Sequence, residues 1–164
     1  MKATAVLPVK RFDAAKQRLA AGIDDERRAE LTAAMLEDVL QAIGAARSVE
    51  RTIVVTNEPR AAELAAAAGV EVLPDPEAGG HSEAALAGIA RARELGAVCV
   101  VLLPGDCPLL DPRELERLLT GLPERYVAIV ADRHGTGTNA LALAPPDAIA
   151  PAFGEGSCAR HVAA

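Results

Sequence analysis

Two patterns of apolar residues alternate along the chain. Short continuous apolar runs predict β-strands, and segments in which apolar residues recur every three or four positions predict helices. The run over 97–103 is the most continuously apolar, as is typical of a central parallel strand covered on both faces. We predict strands over residues 3–9, 51–56, 70–73, 97–103, 127–130 and 139–143.

Helical patterns fill the intervals between most of these strands. Polar residues at their starts are predicted caps: Asp24 or Asp25 for the first helix, Ser82 for the third, Asp111 for the fourth and Ser157 for the last. The spacing predicts helices over residues 26–46, 60–68, 82–95 and 112–119, and a final one from residue 157.

The alternation of strands and helices predicts the fold class. We expect a single α/β domain over residues 1–164, with a mostly parallel, Rossmann-like sheet and helices on both faces. Ligands of such folds bind beyond the carboxyl ends of the strands. The segments that directly follow each strand are therefore where the chemistry is expected.

Composition and charge argue against nucleic acid as a partner of this protein. Aromatic residues make up only 2% of the 164 residues, which argues against stacking of single-stranded nucleic acid. The net charge is -6 and no basic run stands out, so we predict no nucleic-acid partner. Because no apolar run is long enough to cross a bilayer, we also expect a cytoplasmic protein with no membrane partner.

Two of the three lysines follow the first predicted strand. Lys10 and Lys16 lie in one segment at the expected ligand edge, whereas Arg is the usual cation elsewhere. Lysine offers a compact charge with three donors, which suits a phosphate whose geometry changes during transfer. An ordinary solvated basic loop is the alternative interpretation.

An acidic turn follows the central apolar run. Asp106 stands between Pro104 and Pro108, where a fold of this kind could hold Mg²⁺ that bridges triphosphate oxygens. The alternative is a carboxylate that only forms a turn. Asp111, a few residues on, is already explained as a helix cap.

Glycine-rich segments near the end of the chain predict anion sites. The run over 135–140 matches G-x-G-x-x-A but leads into a strand, so it fits a loop that approaches an anion better than a dinucleotide fingerprint. Gly154 and Gly156 precede Ser157, at a helix start with free backbone N–H groups. Ordinary helix capping is the alternative there.

Together these segments resemble the guanylyltransferases of coenzyme F-420 biosynthesis, which transfer GMP from GTP to 2-phospho-L-lactate or phosphoenolpyruvate. The resemblance is collinear and covers nearly the whole chain, and the Arg-His-Gly-Thr-Gly-Thr-Asn run is its most specific part. It implies a nucleotide-diphosphosugar-transferase-like fold of the GT-A or MobA-like type and an Mg²⁺-dependent reaction. The segments that carry it are 8–10, 15–19, 104–109, 132–140 and 153–157.

The resemblance also implies site residues, position by position. Lys10, Lys16 and Asp106 would be catalytic, with the lysines on the triphosphate and Asp106 on the metal ion. The segment 79–83 differs from the Gly-Leu-Asn pattern of the family, which bears on the choice of base. The implied nucleotide site comprises Pro8, Val9, Lys10, Lys16, Gly80 and Ser82, and the implied acceptor site comprises Thr138, Gly154 and Ser157.

Several alternatives stay open at this point. Family members continue past the final helix to a strand and an acidic segment with further metal ligands, which we expect this chain to lack. A homodimer that covers an exposed sheet edge is therefore predicted as well. The competing functions are a sugar-phosphate nucleotidyltransferase and a non-catalytic nucleotide-binding domain, although the scarcity of aromatic residues favours a small anionic acceptor.

Overall fold

The six predicted strands form one sheet. A computed structural model describes residues 2–12, 24–76, 80–121 and 123–164 of the chain. Within these ranges the strand order is β3-β2-β1-β4-β6-β5. The strands are β1 (Ala3–Pro8), β2 (Val49–Val55), β3 (Glu71–Leu73), β4 (Val100–Leu102), β5 (Tyr126–Ala131) and β6 (Thr138–Ala144).

The sheet is mostly parallel, as predicted, with one reversed strand. β1 pairs in parallel with β2 and β4, and β2 with β3. β6 runs antiparallel to both β4 and β5, so β4 has a parallel neighbour on one side only. The reversal follows from chain length, because the short connection between β5 and β6 is too brief for the crossover that a parallel pair requires.

Five helices pack against the sheet in the described ranges. Two predicted caps are confirmed: the Asp24 carboxylate accepts from the Arg27 N–H at 2.9 Å, and the Asp111 carboxylate accepts from the Arg113 N–H at 2.8 Å. The helices are α1 (Asp25–Ala45), α2 (Pro59–Ala67), α3 (Gly80–Glu94), α4 (Pro112–Leu119) and α5 (Ser157–Ala163).

The two serine caps were wrong. α3 begins at Gly80, so Ser82 lies in its first turn, and its hydroxyl accepts instead from the Phe153 N–H at 3.0 Å. α5 has Gly156 as its N-cap, in the left-handed conformation that glycine tolerates best, and Ser157 is its first helical residue. Both hydroxyls are used in tertiary contacts, which a local pattern does not reveal.

Two apolar cores confirm helices on both faces of the sheet. On one face α1, α2 and α4 contribute residues such as Leu36, Ala61 and Leu115. On the other face α3 contributes small residues such as Ala85 and Ala92. Gly88 together with these alanines lets α3 approach β1 and β2 closely, and the start of α3 at Gly80 lies near Pro8 at the carboxyl end of β1.

Candidate active site

The carboxyl ends of β1 and β4 bring Lys10 and Asp106 to one cavity. Lys10 follows β1 by two residues, and Asp106 lies in the turn after β4. Since β1 and β4 are parallel neighbours, both turns emerge at the same edge of the sheet. The first cavity, of about 380 Å³, is lined by Pro8, Val9, Lys10, Arg11, Phe12, Thr32, Leu36, His81, Pro104, Gly105 and Asp106.

A buried carboxylate that the sequence analysis missed holds Lys10. The Lys10 ammonium lies 2.6 Å from Oδ2 of Asp75, whose side chain is 6% exposed. Asn57 fixes the Asp75 backbone from both sides: its Nδ2 donates to the Asp75 carbonyl at 2.8 Å, and its Oδ1 accepts from the Asp75 N–H at 3.1 Å. The one available signal was its place just after β3, at the same sheet edge.

A second cavity, of about 460 Å³, adjoins the first. It brings together five residues that the sequence analysis assigned to two different ligands: Pro8, Gly80 and Ser82 for the nucleotide, and Thr138 and Gly154 for the acceptor. Its lining consists of Pro8, Gly80, His81, Ser82, Leu103, Pro104, Thr138, Phe153 and Gly154.

His81 lies where the two cavities meet. Together with Pro8 and Pro104 it lines both of them. Partial desolvation lowers the pKa of His81, and the positive charge of Lys10 adds to this effect, while Asp106 and Asp75 oppose it. The sequence analysis placed its neighbours Gly80 and Ser82 at the nucleotide site but assigned His81 itself no role, because its irregular spacing from the other two histidines argued against a metal site.

The glycine-rich loop between β5 and β6 is organised by Asp132. Its carboxylate accepts from the backbone N–H of His134 at 3.1 Å and of Thr136 at 2.9 Å. Desolvation acts to raise the pKa of Asp132, but hydrogen bonds from the backbone of Gly137, Thr136 and His134 outweigh it, and the pKa is lowered. The Thr136 carbonyl accepts from the Cys158 N–H at 3.1 Å, which ties this loop to α5.

Ser157 belongs to the site but does not line either cavity. It is 1% exposed, and its hydroxyl donates to Oγ1 of Thr138 at 3.1 Å. The role at the acceptor that the resemblance implies for Ser157 stays a prediction, and its hydroxyl reaches the second cavity only through Thr138. Gly154, by contrast, does line the second cavity.

The metal prediction depends on one described side chain. In the part of the chain that the structure describes, no three His, Cys, Asp or Glu side chains converge on a point that could hold a metal ion. Asp106 is exposed at the edge of the first cavity. One carboxylate fits Mg²⁺, which commonly binds through one or two carboxylates together with substrate phosphates and water.

Lys16 falls on residues 13–23, outside the described ranges, so its predicted contact with a triphosphate stays a prediction.

None of the helices in the described part of the chain combines the length and the apolar character that a membrane crossing needs.

Comparison with protein families gives a match over nearly the whole chain. The family model described as "Guanylyl transferase CofC like" matches residues 3–164. A phosphoenolpyruvate guanylyltransferase of Conexibacter woesei is 48% identical over 166 residues, which cover 99% of this chain and 74% of that protein. A 3-phospho-D-glycerate guanylyltransferase of Phenylobacterium zucineum is 39% identical, with 97% of this chain and 74% of that protein covered.

Solved structures with the same fold are more distant in sequence. A protein of Desulfovibrio desulfuricans G20 assigned as a nucleotide-diphospho-sugar transferase superimposes with a TM-score of 0.70 at 18% identity, over 91% of this chain and 66% of its own. A 4-diphosphocytidyl-2C-methyl-D-erythritol synthase superimposes with a TM-score of 0.62 at 19% identity, over 99% and 86%. These structures support the predicted nucleotide-diphosphosugar-transferase-like fold.

Proposed function

Because the chain belongs to the family of CofC-like guanylyl transferases, we propose that it transfers GMP from GTP to the phosphate of phosphoenolpyruvate or 2-phospho-L-lactate. Pyrophosphate would be the second product, and the reaction would serve coenzyme F-420 biosynthesis in the cytoplasm. The relatives named as phosphoenolpyruvate guanylyltransferases support an acceptor of this class. The relative named for 3-phospho-D-glycerate makes that acid a third acceptor to test.

The observation that carries this proposal is the pair of adjoining cavities. One contains a cation and a carboxylate, Lys10 and Asp106, and the other contains Thr138 and the glycine-rich turn at Gly154. Pro8, Pro104 and His81 line both, so ligands bound in the two cavities would lie next to each other. A transfer between two small anions requires such an arrangement.

The proposed reaction requires from the protein mainly that it place the two substrates and neutralise their negative charge. The acceptor phosphate is already an anionic nucleophile near neutral pH, so no general base is needed. One of its oxygens forms a bond to the α-phosphorus of GTP, while the bond from that phosphorus to the bridging oxygen breaks and pyrophosphate leaves with the electron pair. We therefore propose direct transfer without a covalent enzyme intermediate.

The residues of the first cavity would counter the repulsion between the two anions. Lys10 would neutralise triphosphate charge, and Asp75 would keep the Lys10 ammonium at the cavity. Asp106 would hold Mg²⁺, which would supply further neutralisation of the phosphates. The acceptor would be placed by Thr138 and by the turn at Gly154.

The direct test is incubation of the protein with GTP, Mg²⁺ and each of the three phosphorylated acids, followed by mass spectrometry of the product and assay of pyrophosphate. We expect a guanylylated acid with at least one of them. Glucose 1-phosphate serves as the sugar-phosphate control. Nucleotide binding without pyrophosphate release would instead support a non-catalytic domain, and a product with glucose 1-phosphate alone would support a sugar-phosphate enzyme.

Asp106→Asn provides the matched variant for this assay. It keeps the side-chain shape and removes the charge, so we expect the rate to fall by about 100-fold or more, a loss of the size seen when electrostatic stabilisation of a transition state is removed. The circular dichroism spectrum and unfolding midpoint should stay unchanged, because Asp106 is exposed. A variant with the wild-type Mg²⁺-dependent rate would exclude Asp106 from this role.

A further inference from the structure

Behind the second cavity, a buried histidine has both of its ring nitrogens occupied. His161, on α5, is 2% exposed. Its Nε2 accepts from the backbone N–H of Ala152 at 2.8 Å, and its Nδ1 lies 3.0 Å from Oγ1 of Thr138. The ring also meets the Phe153 ring edge to face, with centroids 5.4 Å apart.

These two contacts determine where the ring carries its proton. A backbone N–H can only donate, so Nε2 of His161 must be unprotonated. A neutral imidazole carries its single proton on the other nitrogen, and Nδ1 therefore donates to Thr138. Burial lowers the pKa of His161, assisted by the charge of Arg160, which favours the neutral ring.

The Thr138 hydroxyl then has its acceptor positions filled. It accepts from Nδ1 of His161 and from the hydroxyl of Ser157, at 3.0 and 3.1 Å. A hydroxyl has two acceptor lone pairs and one hydrogen, so only the hydrogen of Thr138 is left to bond. Thr138 is half-buried and lines the second cavity, into which that hydrogen can point.

We propose that His161 is a positioning residue that, with Ser157, fixes the Thr138 hydroxyl as a donor toward an anionic oxygen of the ligand in the second cavity. The identity of that ligand as a phosphorylated carboxylic acid rests on the proposed function. The proposal gives Ser157 a role at the acceptor site that does not require it to touch the acceptor. It also explains why a hydroxyl at this place would prefer a carboxylate or phosphate oxygen over a group that can only donate.

Two isosteric variants separate this role from a structural one. In His161→Asn the amide nitrogen occupies the place of Nδ1 and can still donate to Thr138, whereas in His161→Gln the amide oxygen reaches the place of Nε2 and can still accept from Ala152. We expect the acceptor KM to rise about tenfold in His161→Gln, as for the loss of a hydrogen bond to a charged group. In His161→Asn the acceptor KM should stay close to the wild-type value, and the GTP KM should be unchanged in both.

The opposite pattern would overturn the proposal. If His161 only anchors the backbone at Ala152, His161→Asn would be the impaired variant and His161→Gln the rescued one. Thr138→Val, combined with His161→Gln, gives a second measure, because two changes that remove the same interaction should not add. Additive effects on the acceptor KM would contradict the proposal.

A spectroscopic measurement keeps this test separate from that of the proposed function. A long-range proton–nitrogen NMR spectrum of the wild-type protein at pH 7.5 reports which ring nitrogen of His161 is protonated, whether or not the protein turns over any substrate. We expect protonation at Nδ1 only. A ring protonated at Nε2 would overturn the positioning role, whereas absence of turnover with all three acids together with the expected tautomer would overturn only the proposed function.

Discussion

The ammonium of Lys10 is held by a carboxylate that belongs to no sequence motif. Asp75 is buried and Asn57 fixes its backbone, so the carboxylate of this ion pair is rigidly placed, whereas its lysine partner has a flexible side chain. A flexible lysine loses much of its side-chain entropy when it must be held at one place. By holding the Lys10 ammonium in place, Asp75 reduces the side-chain entropy that Lys10 would otherwise lose when a nucleotide binds.

Asp75→Asn should raise the KM for GTP by about tenfold, because the charge-assisted hydrogen bond that orders Lys10 is lost. The KM for the acceptor should change little, since Lys10, which Asp75 holds, lines the first cavity and not the second. Steady-state kinetics with each substrate varied in turn provide the measurement. Glu63→Gln is the control, because its exposed ion pair with Arg60, at 3.5 Å, lies on α2; equal GTP KM values for the two variants would contradict the role of Asp75.

At the scale of single residues, the sequence predicted the side chains that follow a strand within a recognisable motif, such as Lys10 and Asp106. It missed Asp75 and His161, because their partners are 65 and 23 residues away along the chain. It also wrongly predicted Ser157 as a helix cap, because a serine at a helix start is equally consistent with capping and with a tertiary bond. Hydrophobic periodicity carries no information about such long-range polar pairs.

At the scale of elements, the apolar patterns predicted every strand of the described sheet, because the hydrophobicity of successive residues and its periodicity are local properties of the sequence. The direction of β6 was not predicted, since it depends on how the chain returns after β5. The position of α3 over β1 was not predicted either, although it determines where the second cavity lies. That position depends on residue 88 being glycine, because any side chain there would collide with β1.

Gly88→Ala should destabilise the protein by about 1 to 3 kcal/mol or more, as overpacking of a tight core does. A Cβ at this position would collide with Cγ1 of Val6 on β1 and lie 3.1 Å from Cγ2 of Val55 on β2. Both contacts are with short branched side chains inside the sheet, which cannot move away. The free energy of unfolding in urea measures the effect.

Gly44→Ala is the matched control for this substitution. Gly44 lies in α1 and nothing stands within 4 Å of the position that its Cβ would take. Alanine should there increase stability by up to about 1 kcal/mol, through its higher helix propensity. If Gly88→Ala were as stable as Gly44→Ala, the close approach of α3 to β1 would be incorrect.

At the scale of the whole molecule, we expect the buried polar network behind the second cavity to couple folding to pH. The folded state keeps the His161 ring neutral, and burial together with the charge of Arg160 lowers its pKa below the ordinary 6.5. Protonation would place a second N–H against the N–H of Ala152, which already donates to the ring. Acid should therefore break this network and release the turn that carries Gly154.

The sign of the effect on stability follows from proton binding. The unfolded chain takes up a proton at His161 near pH 6.5, while the folded chain does so only at lower pH, so the unfolded state binds more protons between the two values. The free energy of unfolding should consequently fall as the pH drops below 6.5, by at most about 1.4 kcal/mol per pH unit for one such group. Urea unfolding of the wild type at a series of pH values from 8 to 5 measures this slope.

His161→Gln removes the titrating ring and keeps an acceptor for Ala152, so its slope below pH 6.5 should be shallower than that of the wild type. A remaining slope is expected from His81, whose pKa is also lowered, and His81→Gln should reduce it further. His81 lies at the cavities and His161 behind them. Comparison of the two single variants with the double variant therefore gives the contribution of each ring to the slope of stability against pH. A wild-type slope retained in His161→Gln would mean that the buried ring does not link acid to unfolding.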